Sequence, residues 1–287
     1  MPILLCFGYG YVARHLAERL ATRGWQIRGT TRSAEKLVRM AGPGRQGWLF
    51  ERGRPLPAEA LAGVTHVLVS IPPDESGDPV LDRHGEDLRR LAGLAWIGWL
   101  GTTGVYGDRG GGWVDELTPL EPTTARTDRR ARAEAAWLAS GLPVHLFRLA
   151  GIYGPGRNAL RQLLDGNARC IVKPGQVFSR IHVDDIAATL EASMARPNPG
   201  RIYNVCDDEP APPQDVVTFA AELLGVPPPP AEPFETAELS PMARSFYRDN
   251  RRVRNARIKE ELGVRLAYPS YREGLRALLP VEAAARR

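Results

Sequence analysis

Two glycines and an alanine in the run Gly8-Tyr9-Gly10-Tyr11-Val12-Ala13 have the types and spacing to cradle a pyrophosphate. Apolar residues 3–7 precede the run and an amphipathic stretch follows it. The order strand, tight turn, helix is the setting that the dinucleotide fingerprint G-x-G-x-x-G/A requires. Gly8 permits the turn, Gly10 lets backbone approach the phosphates, and Ala13 keeps the helix close to the sheet. Val12 and its neighbours then open a helix whose unbonded N–H groups and dipole favour an anion. The bland alternative is a glycine turn in another kind of α/β protein.

Thr30-Thr31-Arg32-Ser33 stand about 20 residues further on, where an acidic residue would bind a ribose 2′-hydroxyl. A planar guanidinium beside a hydroxyl suits a 2′-phosphate instead, so Arg32 and Ser33 favour NADP over NAD. Arg32 as an ordinary solvated cation is the competing reading. Ser70-Ile71-Pro72-Pro73 ends another apolar run, and its backbone is expected to pass the same cofactor. Gly77-Asp78-Pro79 and His84 follow, with covering the cleft and starting a helix equally open as roles.

Such residues need a parallel sheet behind them. Strands read at 3–7, 26–30, 66–70, 95–101 and 144–149, and helical patterns at 12–23, 82–94 and 130–140, with Val12, Leu16 and Leu20 on one stripe. Right-handed crossovers assemble these into a Rossmann-type, doubly wound α/β fold. Beyond residue 150 the pattern loosens into a turn-rich 151–157, a helix at 184–194 and a strand at 202–205. Pro227 to Pro230, with Pro233 beyond, form a stiff connector to a final helical lobe. The expected division is a dinucleotide domain over 1–155, completed by about 180–206, and a smaller substrate-binding lobe from 156–179 and 207–287.

The chain has 287 residues, 43% hydrophobic and 25% charged, which indicates neither disorder nor a membrane class. Residues 3–7 lack a basic leader, and no run approaches the roughly 20 apolar residues of a membrane span, so a cytoplasmic location is expected. Cys6, Cys170 and Cys206 have no metal-ligand spacing and are expected as reduced, buried thiols without a metal. Residues 240–265 carry eight cations, among them Arg244, Arg248, Arg251, Arg252, Arg254 and Arg257, against three carboxylates, which matches the whole net charge of +5. This patch reads either as a site for an anionic small molecule or as solvated surface; no nucleic-acid motif accompanies it.

Three further segments carry a resemblance. They are Gly101-Thr102-Thr103-Gly104-Val105-Tyr106-Gly107, the stretch from Arg148 to Tyr153-Gly154-Pro155-Gly156, and Arg180-Ile181-His182-Val183-Asp184-Asp185-Ile186. In this order, over residues 3 to about 205, the chain resembles the extended and atypical short-chain dehydrogenase/reductase proteins, the group of the NAD-dependent epimerase/dehydratases. Residues 250–263 and Tyr268-Pro269 are also similar. The glycine loop departs from that group's GxxGxxG, with Phe7 first and Ala13 last. The resemblance implies that Thr102 polarises a substrate oxygen, and that a homodimer forms through helices like those at 82–94 and 130–140. It also implies a YxxxK pair, with tyrosine supplying acid/base chemistry. Counted back from Glu134, those two places hold Arg126 and Arg130, and no tyrosine lies nearby. Arg130 can still grip the nicotinamide ribose, whereas the permanently charged Arg126 cannot shuttle a proton.

Another group must then move any hydroxyl proton, and the candidates are Tyr106, Asp128, Tyr153 and His182. Each has an ordinary structural explanation beside the catalytic one, and so do the carboxylates of Trp113-Val114-Asp115-Glu116. The catalytic set is read as Thr102, Tyr106 and Arg130. Cofactor contacts are read at Gly8, Tyr9, Gly10, Tyr11, Val12, Arg32, Ser33, Ser70, Ile71, Pro72, Thr102 and Arg130. The expected function is an NADP(H)-dependent oxidoreductase or epimerase/dehydratase-like enzyme on a small hydroxyl or carbonyl compound, a nucleotide sugar included. The alternative is a non-catalytic NADPH-binding sensor.

Overall fold

The computed structural model describes residues 1–40 and 42–284. Its first half alternates short strands with helices: β1 (Ile3–Phe7), α1 (Tyr11–Ala21), β2 (Gln26–Thr31), α2 (Ala34–Met40), β3 (Arg45–Leu49), α3 (Ala58–Leu61), β4 (His66–Val69), α4 (Pro79–Arg89) and β5 (Trp96–Thr102). There follow β6 (Trp113–Val114), α5 (Ala125–Leu138), β7 (Val144–Leu149), β8 (Gly151–Tyr153), α6 (Ala159–Leu164), β9 (Cys170–Val172), β10 (Arg180–His182), α7 (Val183–Ala195) and β11 (Ile202–Val205). The chain ends with α8 (Pro213–Leu224), β12 (Ala231–Pro233), α9 (Pro241–Phe246), β13 (Arg252–Val253), α10 (Ala256–Glu260) and α11 (Tyr271–Ala284).

Seven strands form the central sheet in the order β11-β7-β5-β4-β1-β2-β3. The pairs β2–β3, β1–β2, β1–β4 and β4–β5 are all parallel. Strand order reverses at β1, so the loops after β1 and β4 flank the switch point at which open α/β sheets bind their ligands. Strands covered on both faces read as continuous apolar runs, and β1 and β4 do so. β3 has no such signal in Arg45-Gln46-Gly47-Trp48-Leu49. It forms because β2 offers an open edge and because Gly47 admits α2, where a Cβ would stand 2.6 Å from Leu37.

The chain divides into two compact units, one of residues 1–105, 124–148 and 187–203, the other of 106–123, 149–186 and 204–287. In the first, Leu5, Phe7, Val67, Val69, Ile97, Trp99, Trp137 and Leu146 belong to one buried cluster. In the second, Tyr153, Leu160, Val216, Ala220, Tyr271, Leu275 and Leu278 pack together, largely from α6, α8 and α11. The loop at 106–123 belongs to the second unit. Cys6, Cys170 and Cys206 are buried and not disulfide-bonded. Among the described residues no helix is long and apolar enough to cross a membrane.

β7 is buried along its whole length although it contains His145 and Arg148. Each polar group is therefore satisfied internally. His145 Nε2 accepts the Asn198 N–H at 2.8 Å, and Nδ1 lies 3.4 Å from the Ile97 carbonyl. Burial pushes this imidazole down to about 4, and His66 is held at about 4 for the same reason. Above about pH 6.5 both native and unfolded chains carry these rings neutral. Between about 6.5 and 4 only the unfolded chain takes up protons, so stability falls with pH by at most about 1.4 kcal/mol per unit for each ring. Urea unfolding midpoints at pH 7 and pH 5 measure this, and His145→Gln should reduce the difference without abolishing it, because His66 remains. An unchanged difference would remove His145 from the account.

Candidate functional site

β1 ends in the buried Phe7, and the chain turns at Gly8 with φ +91°, a conformation that favours glycine. The turn is held from two neighbouring strands. Thr30 at the end of β2 accepts the Gly8 N–H on Oγ1 at 2.8 Å and the Tyr9 N–H on its carbonyl at 2.9 Å. Ser70, following β4, donates its hydroxyl to the Gly8 carbonyl at 2.7 Å. A Cβ on Gly8 would stand 2.7 Å from Ser70 Oγ and 3.1 Å from Ile71 Cγ1, whereas one on Gly10 would meet nothing within 4 Å. Gly10 caps α1 without a side-chain hydrogen bond, and Val12 and Ala13 are buried behind it. A cradle with open room at the second glycine, backed by a helix start, fits a pyrophosphate.

Tyr9 lies over Gly29 of β2, where a Cβ would come 2.7 Å from its ring, and its hydroxyl is buried with no partner among the described residues. Burial raises the pKa of this phenol. Tyr11 packs edge-on to His15 at 4.8 Å. Ser33 Oγ accepts the Lys36 N–H at 3.3 Å and so caps α2. Arg32 beside it is exposed, and pairs with no carboxylate among the described residues. Pro72 is exposed just beyond Ile71.

The sequence places a helix at 130–140, but α5 starts at Ala125. The reason is a capping box: Thr124 Oγ1 accepts the Thr127 N–H at 3.1 Å, and Thr127 Oγ1 accepts the Thr124 N–H at 3.2 Å. Arg126, Arg130 and Glu134 then recur every fourth residue on one face. Glu134 and Arg148 of β7 form a buried ion pair, Arg148 Nε donating to the two carboxylate oxygens at 3.1 and 3.2 Å. Arg130 donates from Nη1 to the Leu100 carbonyl of β5 at 3.3 Å and makes no ion pair among the described residues. Burial lowers the Arg130 pKa, and the charge of Arg126 lowers it further, while Asp78 opposes both. Asp78, buried at the head of α4, accepts the Val80 and Leu81 N–H groups at 2.9 and 3.2 Å and the Trp99 indole N–H at 2.9 Å. Thr102 ends β5, with Oγ1 accepting the Gly104 N–H at 3.0 Å. Its hydroxyl proton remains available for a ligand oxygen.

The remaining candidates are held elsewhere. Tyr106, read as part of the catalytic set, is fully buried and donates to Asn204 Oδ1 at 2.7 Å, so the structure gives it an anchoring place instead. Tyr153 donates to the Ser270 carbonyl at 3.3 Å, edge-on to the His182 ring, and burial raises its pKa. His182 is buried and accepts the Asp184 N–H on Nδ1 at 3.2 Å. Asp128 pairs with Arg132 one turn along α5. Asp115 accepts the Leu117 and Thr118 N–H groups at 3.0 Å in a turn, and Glu116 accepts the Asn204 N–H at 2.8 Å. His84 accepts the Leu56 N–H at 3.0 Å. The basic stretch is largely absorbed within its own unit. Arg251 donates to the Gly107 carbonyl at 2.7 Å, Arg244 to that of Ala237 at 2.7 Å and Arg248 to that of Thr123 at 3.3 Å, while Arg254 lies over Trp113. One contributor escaped the sequence reading as a side chain with a role, Thr30 as a clamp; Asp78 takes the helix-start role, one of the two open for Gly77-Asp78-Pro79.

No family model matches the chain. Protein YeeZ of Escherichia coli K12 is 29% identical over 237 residues, 77% of this chain and 84% of that protein. The 3-diazoavenalumate denitrifying reductase of a Streptomyces species is 29% identical over 212 residues, 67% of each chain. Among solved structures, a functionally unknown conserved protein from Silicibacter pomeroyi DSS is 56% identical and superposes with a TM-score of 0.92, covering 98% of this chain and 99% of that one. A structure named for an NAD-dependent epimerase/dehydratase from Methylobacillus flagellatus is 27% identical with a TM-score of 0.70, covering 100% and 99%.

The clamp on Gly8 makes a direct prediction. Gly8→Ala forces a side chain into positive φ and against Ser70 Oγ, which should cost about 1–3 kcal/mol of stability and displace the loop. Thermal melts should show the loss, and titration with NADH and NADPH by fluorescence should show affinity for the preferred nucleotide down at least about tenfold. Unaltered NADPH affinity in a folded Gly8→Ala variant would detach this turn from nucleotide binding.

Proposed function

We propose that the chain, which is similar to an NAD-dependent epimerase/dehydratase and to a protein named as a reductase and is consistent with the extended short-chain dehydrogenase/reductase family, is an NADP(H)-dependent reductase of a small carbonyl compound. The observation that carries the cofactor part is the cradle at Gly8 and Gly10, closed behind by Thr30 and Ser70 and open in front. Arg32, exposed at the end of β2 and paired with no carboxylate among the described residues, supports the 2′-phosphate and hence NADP. Tyr9, Tyr11, Val12, Ser33, Ile71 and Pro72 complete the cofactor's surroundings in this reading. When bound, a reduced nicotinamide supplies hydride at its C4.

The chain's own residues suit stabilisation of a charge that develops on the substrate oxygen. Arg130, anchored to the Leu100 carbonyl, would hold the ribose hydroxyls with its remaining donors, and Thr102, which accepts the Gly104 N–H, would give a hydrogen bond to the substrate oxygen. Arg126 stands where the family's tyrosine would, and a guanidinium does not accept a proton near neutrality. Oxidising a hydroxyl requires a base to remove its proton. Reducing a carbonyl requires stabilisation of the oxygen while its charge develops, after which solvent supplies the proton. A guanidinium and a threonine hydroxyl stabilise that charge and leave the proton to solvent in either direction, and the similarity to a protein named as a reductase favours the reductive reading. Nucleotide sugars are the less favoured substrates, since the arginines at 244, 248 and 251 are held by carbonyls of their own unit.

Two measurements test the reading. Arg32→Asp should weaken NADPH by about tenfold to a hundredfold, the value of one charge-assisted contact, and shift preference towards NADH. An unchanged ratio of the two affinities would remove the argument for NADP. Oxidation of NADPH in a screen of small carbonyl compounds should be sustained by the wild type and lost in Thr102→Ala. A wild type that binds NADPH and turns over none of them would leave a binding protein.

A further inference from the structure

We propose that Arg52 is a positioning residue for the nucleotide: its guanidinium ties the loop that leaves β4 to the turn that leaves β3, and so steadies the chain that borders the Gly8 cradle. This deepens the cofactor reading and rests on it. β1 carries the cradle, and in the sheet it stands between β4 on one side and β2 and β3 on the other. A tie from the exit of β3 to the exit of β4 therefore spans the exit of β1. The two strands are not neighbours in the sheet, so no strand pairing makes that connection.

Each end of the tie is anchored before it reaches Arg52. On the β3 side, the Phe50 N–H donates to the Thr31 carbonyl at the end of β2 at 3.0 Å, and the Phe50 ring packs edge-on to Phe7 at 5.1 Å. A turn follows, in which the Arg54 N–H donates to the Glu51 carbonyl at 2.9 Å. On the β4 side, Ser70 holds the Gly8 carbonyl and Ile71 stands beside that glycine. Asp74 and Gly77 then exchange N–H···O bonds at 2.9 and 3.3 Å, and Asp74 Oδ1 accepts the Ser76 N–H at 2.9 Å. Arg52 joins the two sides. Its Nε and Nη2 donate to the two oxygens of Asp74 at 2.7 and 2.8 Å, and its Nη1 donates to Asp82 Oδ2 in the first turn of α4 at 2.6 Å. The arginine holds the Asp74 carboxyl below the usual carboxylate range. A single surface ion pair contributes little, but a bidentate fork shared with a second carboxylate is the geometry in which such a pair does contribute. Pro72 and Pro73 lie between Ile71 and Asp74, so a constraint at Asp74 reaches Ile71 and Ser70 through a stiff pair of residues. Without Arg52, more of the order in residues 71–77 has to be supplied at the moment of binding.

Stopped-flow release of NADH and NADPH, followed by their fluorescence, tests the tie, with equilibrium titration on the same samples. For the nucleotide that the wild type prefers, Arg52→Gln should weaken affinity by about threefold to tenfold, chiefly through faster release, and Asp74→Asn should do the same. The double variant should be no worse than either single one, because each removes the same tie. Arg52→Lys should retain part of the affinity, a point charge replacing a fork, and the advantage of the wild type should shrink as salt rises. Arg161→Gln breaks a partly exposed pair with Asp165 on α6 and serves as the control for an ordinary loss of stability, with release unchanged. Release from Arg52→Gln at the wild-type rate, or additive losses in the double variant, overturns the tie and leaves the cofactor reading standing. Wild type that binds neither nucleotide overturns the cofactor reading and the tie with it.

Discussion

The buried ion pair between Glu134 and Arg148 fixes which side of α5 meets the sheet. Both groups are almost fully shielded, so each depends on the other. Removing one partner of such a pair typically costs about 3–5 kcal/mol, since the survivor is left charged and dry. The pair adds little net stability compared with apolar residues of the same volume, and what it does add is orientation. With Glu134 held against β7, the helical period dictates that Arg130 and Arg126 lie on the same side, towards the carboxyl end of β5. The side on which Arg126 and Arg130 lie depends on that rotation.

The phosphate loop has a comparable constraint, built from smaller forces. Thr30 and Ser70, from strands on either side of β1, hold one peptide carbonyl and two peptide N–H groups of the turn. None of these bonds contributes more than about 1 kcal/mol net. Together they hold a glycine at positive φ before any ligand arrives, which lowers the ordering cost that binding would otherwise carry. A loop prepared in this way has less need of a perfect glycine fingerprint, and Ala13 in place of the third glycine is tolerated because α1 needs only a small side chain there to lie close to the sheet.

The sheet was legible because period and burial coincide in it. β1, β7 and β11 have the bounds that apolar runs assign them, and α1 follows its stripe of Val12, Leu16 and Leu20. Legibility failed where tertiary partners decide. β3 has no alternation of its own and forms on an edge that β2 provides. The start of α5 was hidden because its capping box carries Thr127 where Glu or Gln gives the usual signal. Misplacing that start by five residues left Arg126 in a loop. At the site, the glycine loop and the missing tyrosine were plain from residue types. What Tyr106, Tyr153 and His182 do was not, because an aromatic side chain with a polar tip reads the same whether it faces a ligand or anchors a core.

That ambiguity bears on how the site is understood. Fully buried, with its proton committed to Asn204, Tyr106 has no exposed hydroxyl to exchange, and Tyr153 is likewise enclosed by its own unit. Burial raises the phenol pKa of Tyr153, the opposite of what a general base requires. Around Thr102 and Arg130 there remain cations and a hydroxyl, a set that stabilises negative charge and does not take up protons. Such a set is suited to a reaction in which negative charge develops on a bound oxygen. That set follows from arginines carried on a helix whose rotation the Glu134–Arg148 pair sets.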